Sequence, residues 1–192
     1  MGFRQAAVLS AVSFFLGVLF ICLNVDYRVL FTPLTEPVIR DGLEFYATFY
    51  QSPPAIKARP ALLHAVMGVG IIGLVGKLHR WDETAMFFDG SSLAAYVFSV
   101  AVYLAVGVPA SRAIATPLEE HTREDQIEAL RVLSAGNTII IVLLGLVLVL
   151  QAGEEYTRRV EAREVAQAAE KTAKTAAKDE ASTAASESKK DR

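Results

Sequence analysis

The sequence predicts an all-α integral membrane protein, a four-transmembrane-helix bundle followed by a charged, partly helical or disordered tail. Three observations predict it. The run 133–153, LSAGNTIIIVLLGLVLVLQAG, carries no charge between Arg131 and Glu154. At about 1.5 Å per residue, a helix of roughly 20 such residues crosses a hydrocarbon core of about 30 Å. Three more apolar runs precede it, so the expected spans are about 6–23, 61–78, 90–108 and 133–153. Finally, the 192 residues are 53% hydrophobic yet 21% charged, and the charges sit between the runs and in the last forty residues or so. That segregation divides the chain into a membrane domain, 1–153, and a tail, 154–192.

The first run, AAVLSAVSFFLGVLFICL, follows Arg4. It exceeds a usual signal-peptide core, and no A-x-A-like cleavage site follows, so it reads as a retained span. Ser10, Ser13 and Gly17 share one helical face, where small residues let another helix approach closely. The loop 24–59 is expected to begin extended or turned ahead of Pro33 and Pro37. Within it, Ile39, Leu43, Tyr46 and Tyr50, with Phe49 beside them, recur at helical spacing over 38–50. They predict an amphipathic, aromatic-faced helix at the membrane interface or packed on the span ends.

The second run, ALLHAVMGVGIIGLVGKL, contains Gly68-Val-Gly70-Ile-Ile-Gly73, a match to the dinucleotide-binding pattern. That pattern works only between a strand and a helix start. Inside an apolar helix the glycines read as packing devices, with Ala61, Ala65, Gly68, Gly73 and Gly76 as the candidates. His64 reads as a hydrogen-bonded interfacial histidine. The third run, GSSLAAYVFSVAVYLAVGV, places Ser92, Tyr96, Ser99 and Tyr103 in a polar stripe and is expected to end at Pro109. Hydroxyls in hydrocarbon need partners. The stripe serves either hydrogen bonding inside the bundle or recognition of polar groups in a client's transmembrane helices. Asn137 and Gln151 frame the fourth run as further contact candidates.

Glu119, Glu120, Glu124, Asp125 and Glu128 surround His121, but Arg112, Arg123 and Arg131 are interspersed, the mark of a solvated face. A net charge of −2 argues against nucleic acid as a partner. One cysteine, Cys22, allows neither a disulfide framework nor a zinc set, and no paired nucleophile and base, metal set or phosphate loop is evident. The expectation is a non-enzyme with no cofactor and no metal. The tail is rich in Ala, Glu, Lys and Arg without a sustained apolar face, and ends Lys189-Lys190-Asp191-Arg192. Lysines third and fourth from a carboxyl end form a di-lysine retrieval signal that vesicle coats read from the cytosol. Basic residues flank all the loops, so the positive-inside rule decides little; the di-lysine signal, readable only on a cytosolic tail, implies that both termini are cytosolic.

The sequence resembles the fungal endoplasmic-reticulum packaging chaperones of amino-acid permeases, the Shr-type (super-high-histidine-resistance) family. The resemblance rests on D-Y-R-V-L-F after the first run, F-Y before the prolines, GVGIIGLVGKL, F-F-D-G-S-S-L-A-A-Y, S-A-G-N-T-I and L-V-L-V-L-Q-A-G. It covers the four runs; the tail is similar only in being charged and lysine-rich. Ala135-Gly136 departs from the Ala-Ser or Ser-Ser expected before Asn137. The resemblance implies a multi-pass protein of the endoplasmic-reticulum membrane. Such a protein holds newly inserted amino-acid permeases and aids their loading into coated vesicles, with the tail contacting coat components. The competing reading is a small four-span channel or transporter, for which His64 is the candidate residue.

Overall fold

The computed structural model describes residues 2–51, 59–79, 83–118 and 122–187, which are mostly helical with no strand among them. The helices are α1 (Phe3–Phe31), α2 (Glu36–Gln51), α3 (Arg59–Leu78), α4 (Glu83–Val102), a π-helical turn (Tyr103–Gly107), α5 (Val108–Ala115) and α6 (Arg123–Glu187). The chain divides into two compact units, Met1–Gln151 and Ala152–Arg192.

Three helical stretches are long and apolar enough to cross a membrane: Phe3–Phe31, Met86–Ala115 and Arg123–Thr172. The apolar part of α3, Leu62–Leu78, is shorter. Each long helix outruns the apolar run that marks it. Residues 24–31 are the last two turns of α1, not an extended loop opening, and α4 begins before Gly90. Helix propagation needs only one further backbone hydrogen bond per residue, so a polar residue at the edge of an apolar run does not stop it. What stops α1 is Thr32, which adopts an extended conformation ahead of Pro33 while its hydroxyl bonds back to the Arg28 carbonyl at 2.6 Å.

Pro109 does not end the third helix, contrary to the sequence expectation. The Val108 N–H bonds to the Tyr103 carbonyl, five residues back, and α5 continues to Ala115. Proline normally breaks a helix by lacking an N–H and pressing on the carbonyl four residues earlier. The wide π turn just before it shifts that carbonyl ladder and absorbs the defect.

Within the first unit α1 packs along α3, α3 along α4, and α2 across α1 and α5. One apolar core joins Val8, Val12 and Leu19 to Met67, Leu74, Tyr96, Ile140, Leu144 and Val147. A second gathers Cys22, Val29, Tyr46, Ala110, Ile114, Leu130 and Leu133 under α2. α2 therefore buries Ile39 and Tyr46 against the bundle. α6 starts with a reciprocal cap: the Thr122 N–H and hydroxyl reach Asp125 Oδ2 at 2.8 and 2.9 Å, and the Asp125 N–H returns to the Thr122 hydroxyl at 3.2 Å. In the second unit the helix carries i,i+4 pairs, Glu155 with Arg159 at 2.8 Å and Glu170 with Lys174 at 2.6 Å. The tail is helical as far as Glu187.

Candidate functional site

Buried polar residues are the chemically distinctive feature of the first unit, and they fall into two clusters on α6. The first is built on Asp26 in the last turns of α1. Its carboxylate accepts the Tyr46 hydroxyl of α2 at one oxygen and the Asn137 amide of α6 at the other, the latter at 3.0 Å. The same amide nitrogen donates to the Tyr46 oxygen at 2.9 Å. Asp26 is fully buried. Ser134, one turn before Asn137, turns its hydroxyl toward that carboxylate without completing a hydrogen bond. Burial, reinforced by the Asp26 charge, pushes the Tyr46 phenol up, so Tyr46 stays protonated and serves as a donor.

The second cluster is centred on Gln151. Its amide oxygen accepts Lys77 Nζ of α3 at 2.6 Å, and its amide nitrogen donates to Asp89 and Ser92 of α4 at 3.0 and 3.1 Å. Lys77 also pairs with Asp89 at 2.7 Å. All four side chains are buried. Asn137 and Gln151 are fourteen residues apart, so the clusters stand about 21 Å apart along α6. The first ties α1 and α2 to α6, and the second ties α3 and α4 to it. Between them lie Ile140, Leu144 and Val147 of the apolar core.

This placement revises the contact candidates. Ser92, Tyr96, Ser99, Asn137 and Gln151 all face the interior. Tyr96 donates weakly to the Met67 carbonyl at 3.4 Å, Ser99 donates to the Tyr96 carbonyl at 2.7 Å, and Tyr103 meets the edge of His64. Ser92, Tyr96 and Ser99 of the stripe thus hold hydrogen-bond partners inside the chain. The packing candidates divide. A methyl at Gly70 would collide with the Tyr96 hydroxyl, and one at Gly73 would fall 2.8 Å from Val8, so these two glycines let α4 and α1 approach α3. Gly76 lies under Arg4, which donates to its carbonyl. Gly68 and Gly17 face open space, and Ala65, Ser10 and Ser13 are exposed. These five are not packing positions within this chain. Ala61 belongs to α3, but its side chain is outside the described set. Lys189 and Lys190, and Glu119, Glu120 and His121 of the acidic run, lie outside the described residues.

Asp26, Tyr46, Lys77, Asp89 and Gly70 are the residues that sequence reasoning misses as a set. Their signal is positional. Each acid sits within a few residues of an apolar run and inside a quoted family stretch, D-Y-R-V-L-F or F-F-D-G-S-S-L. Among the described residues no group of three or more histidines, cysteines or acids could hold a metal.

The arrangement therefore defines a helical membrane protein whose internal polar groups bind its own helices together. Its family is explicit: a family profile described as ER membrane protein SH3, the SHR3 chaperone family, matches residues 1–190, and the chain belongs to that family. It is an endoplasmic-reticulum membrane chaperone by family, which implies a non-enzymatic role. No curated protein and no solved structure matches it.

Proposed function

We propose that this chain is a packaging chaperone. It holds newly inserted amino-acid permeases in the endoplasmic-reticulum membrane, aids their folding, and helps load them into coated transport vesicles. The observation that carries the reading is the family match over nearly the whole chain, residues 1–190. The physical chemistry agrees with a binding role. Nascent transporters present broken helices and polar groups that need temporary partners in lipid. A chaperone for them needs a membrane domain that does not itself come apart, and two clusters tying five helices to one another supply that. In this reading α3 completes a four-span bundle with both termini in the cytosol. The terminal Lys189 and Lys190 return the protein from later compartments through vesicle coats.

The test is loss of the protein in its host, following a fluorescent general amino-acid permease beside an unrelated plasma-membrane protein. Retention of the permease alone is the expected outcome. Normal surface arrival of both would refute the reading. The buried ionisable residues revive the channel reading as a second possibility. Yet Asp26, Lys77 and Asp89 each already hold a partner, so reconstituted vesicles are expected to show no flux.

A further inference from the structure

A cavity of about 100 Å³, partly open to the outside, lies in the first unit, and its lining points to an occupant. On α6 its wall extends from Leu133 to Leu144, about 16 Å along the helix axis. On α1 it extends from Phe15 to Cys22, and across the π turn it runs from Tyr96 to Ser111. The lining of this slot is thus drawn out along the helices, which suits an extended occupant. One end, at Phe15, Met67, Ile140 and Leu144, is apolar, and the hydroxyls there (Tyr96, Ser99) already bond to backbone carbonyls.

The other end is different. Asn137 directs its amide nitrogen to Asp26 and Tyr46, which leaves its carbonyl oxygen without a partner among the described residues. Ser111 also lines this end, and its hydroxyl has no hydrogen-bond partner among the described residues. An open acceptor and an open hydroxyl at one end of an apolar slot call for a hydroxyl-bearing head on an apolar tail. A carboxylate or phosphate head is disfavoured, because no lysine or arginine is among the lining residues to pair with it. About 100 Å³ with a lining elongated along the helices suits a single alkyl chain better than a fused-ring body.

We propose that this slot binds one alkyl chain of a neutral, hydroxyl-headed lipid, with the hydroxyl between Asn137 and Ser111 and the chain directed toward Leu144. Its occupant fills a void that would otherwise cost the surrounding side chains their contacts, and it stiffens the wall containing the π turn.

The experiment uses the full chain in nanodiscs with a monoacylglycerol carrying a mid-chain diazirine. A sterol diazirine with a free hydroxyl and the matching fatty acid are run beside it. The expected result is saturable labelling by the monoacylglycerol on residues of the slot, such as Phe15, Leu19, Cys22, Ile140 or Leu144. Val100→Phe narrows the slot and is expected to lower apparent affinity about tenfold, the effect of excluding roughly two methylenes. Ser111→Val is expected to weaken the monoacylglycerol and spare a head-less alkane probe. Helical content and melting of each variant are measured first, and Met67→Phe replaces Val100→Phe if the latter does not fold. Three results would overturn the proposal: labelling confined to outward residues such as Phe20 and Ile72, equal labelling of the narrowed variant, or preference for the sterol or the fatty acid.

Discussion

Lys77 and Asp89 lie 2.7 Å apart with side chains 8% and 2% exposed, so neither charge has water to fall back on. Removing one partner of such a pair costs about 3–5 kcal/mol, because the other is left charged and buried. Lys77→Met is accordingly expected to destabilise the chain by that amount in reversible detergent unfolding. Lys77→Met with Asp89→Leu removes both charges and should recover most of the loss; a double variant as unstable as the single would mean that the pair is not the main tie. Glycine substitutions separate in the same way. Gly70→Ala drives a methyl into the Tyr96 hydroxyl and should cost about 1–3 kcal/mol as overpacking. Gly68→Ala meets nothing within 4 Å and should gain up to about 1 kcal/mol of helix propensity. Equal melting temperatures for the two variants would contradict the packing described for α3.

At the scale of elements, the helices follow the apolar runs because only a helix satisfies its own backbone in lipid. α2 was legible for a related reason: Ile39, Leu43, Tyr46 and Tyr50 recur at helical spacing, and the first three turn inward while Tyr50, in the last turn, is exposed. Helix ends were not legible. A run of apolar residues stops at its first charge, whereas the backbone ladder continues, and Asp26 and Asp89 are drawn inside helices by that continuation. The π turn before Pro109 was equally hidden, since nothing in YLAVG distinguishes a five-residue from a four-residue bonding pattern. Asn137 and Gln151 stand out in sequence as polar residues framing an apolar run. What they touch depends on residues 59 to 111 positions away, which no local pattern encodes. The start of α6 offers an element-scale prediction. Thr122→Ala removes the hydroxyl half of the cap shared with Asp125 and should cost about 1 kcal/mol. Faster hydrogen exchange should be confined to the first turn of α6; unchanged exchange there would show that the cap does not hold that end.

At the scale of the whole molecule, the interior placement of Asn137 decides how its substitution should act on clients. Asn137→Leu leaves the Asp26 carboxylate without its amide donor and should cost about 2–3 kcal/mol or more, as for a lost bond to a buried charged group. A membrane chaperone destabilised by that much is cleared by quality control, and its abundance falls several-fold. If the chain serves permeases as proposed and Asn137 acts only by binding α1 and α2 to α6, permease export must fall in proportion to the amount of chaperone remaining. Raising expression of the variant back to the normal level should then restore export. If Asn137 instead contacted clients directly, export would stay low at restored abundance. Measuring chaperone level and surface permease in the same cells, across a titrated promoter, separates the two. The geometry predicts that Asn137→Leu and wild type fall on one curve of export against abundance, because every bond made by its amide nitrogen is internal. The same plot applied to Gln151→Leu should give the same curve, since its amide is shared among Lys77, Asp89 and Ser92.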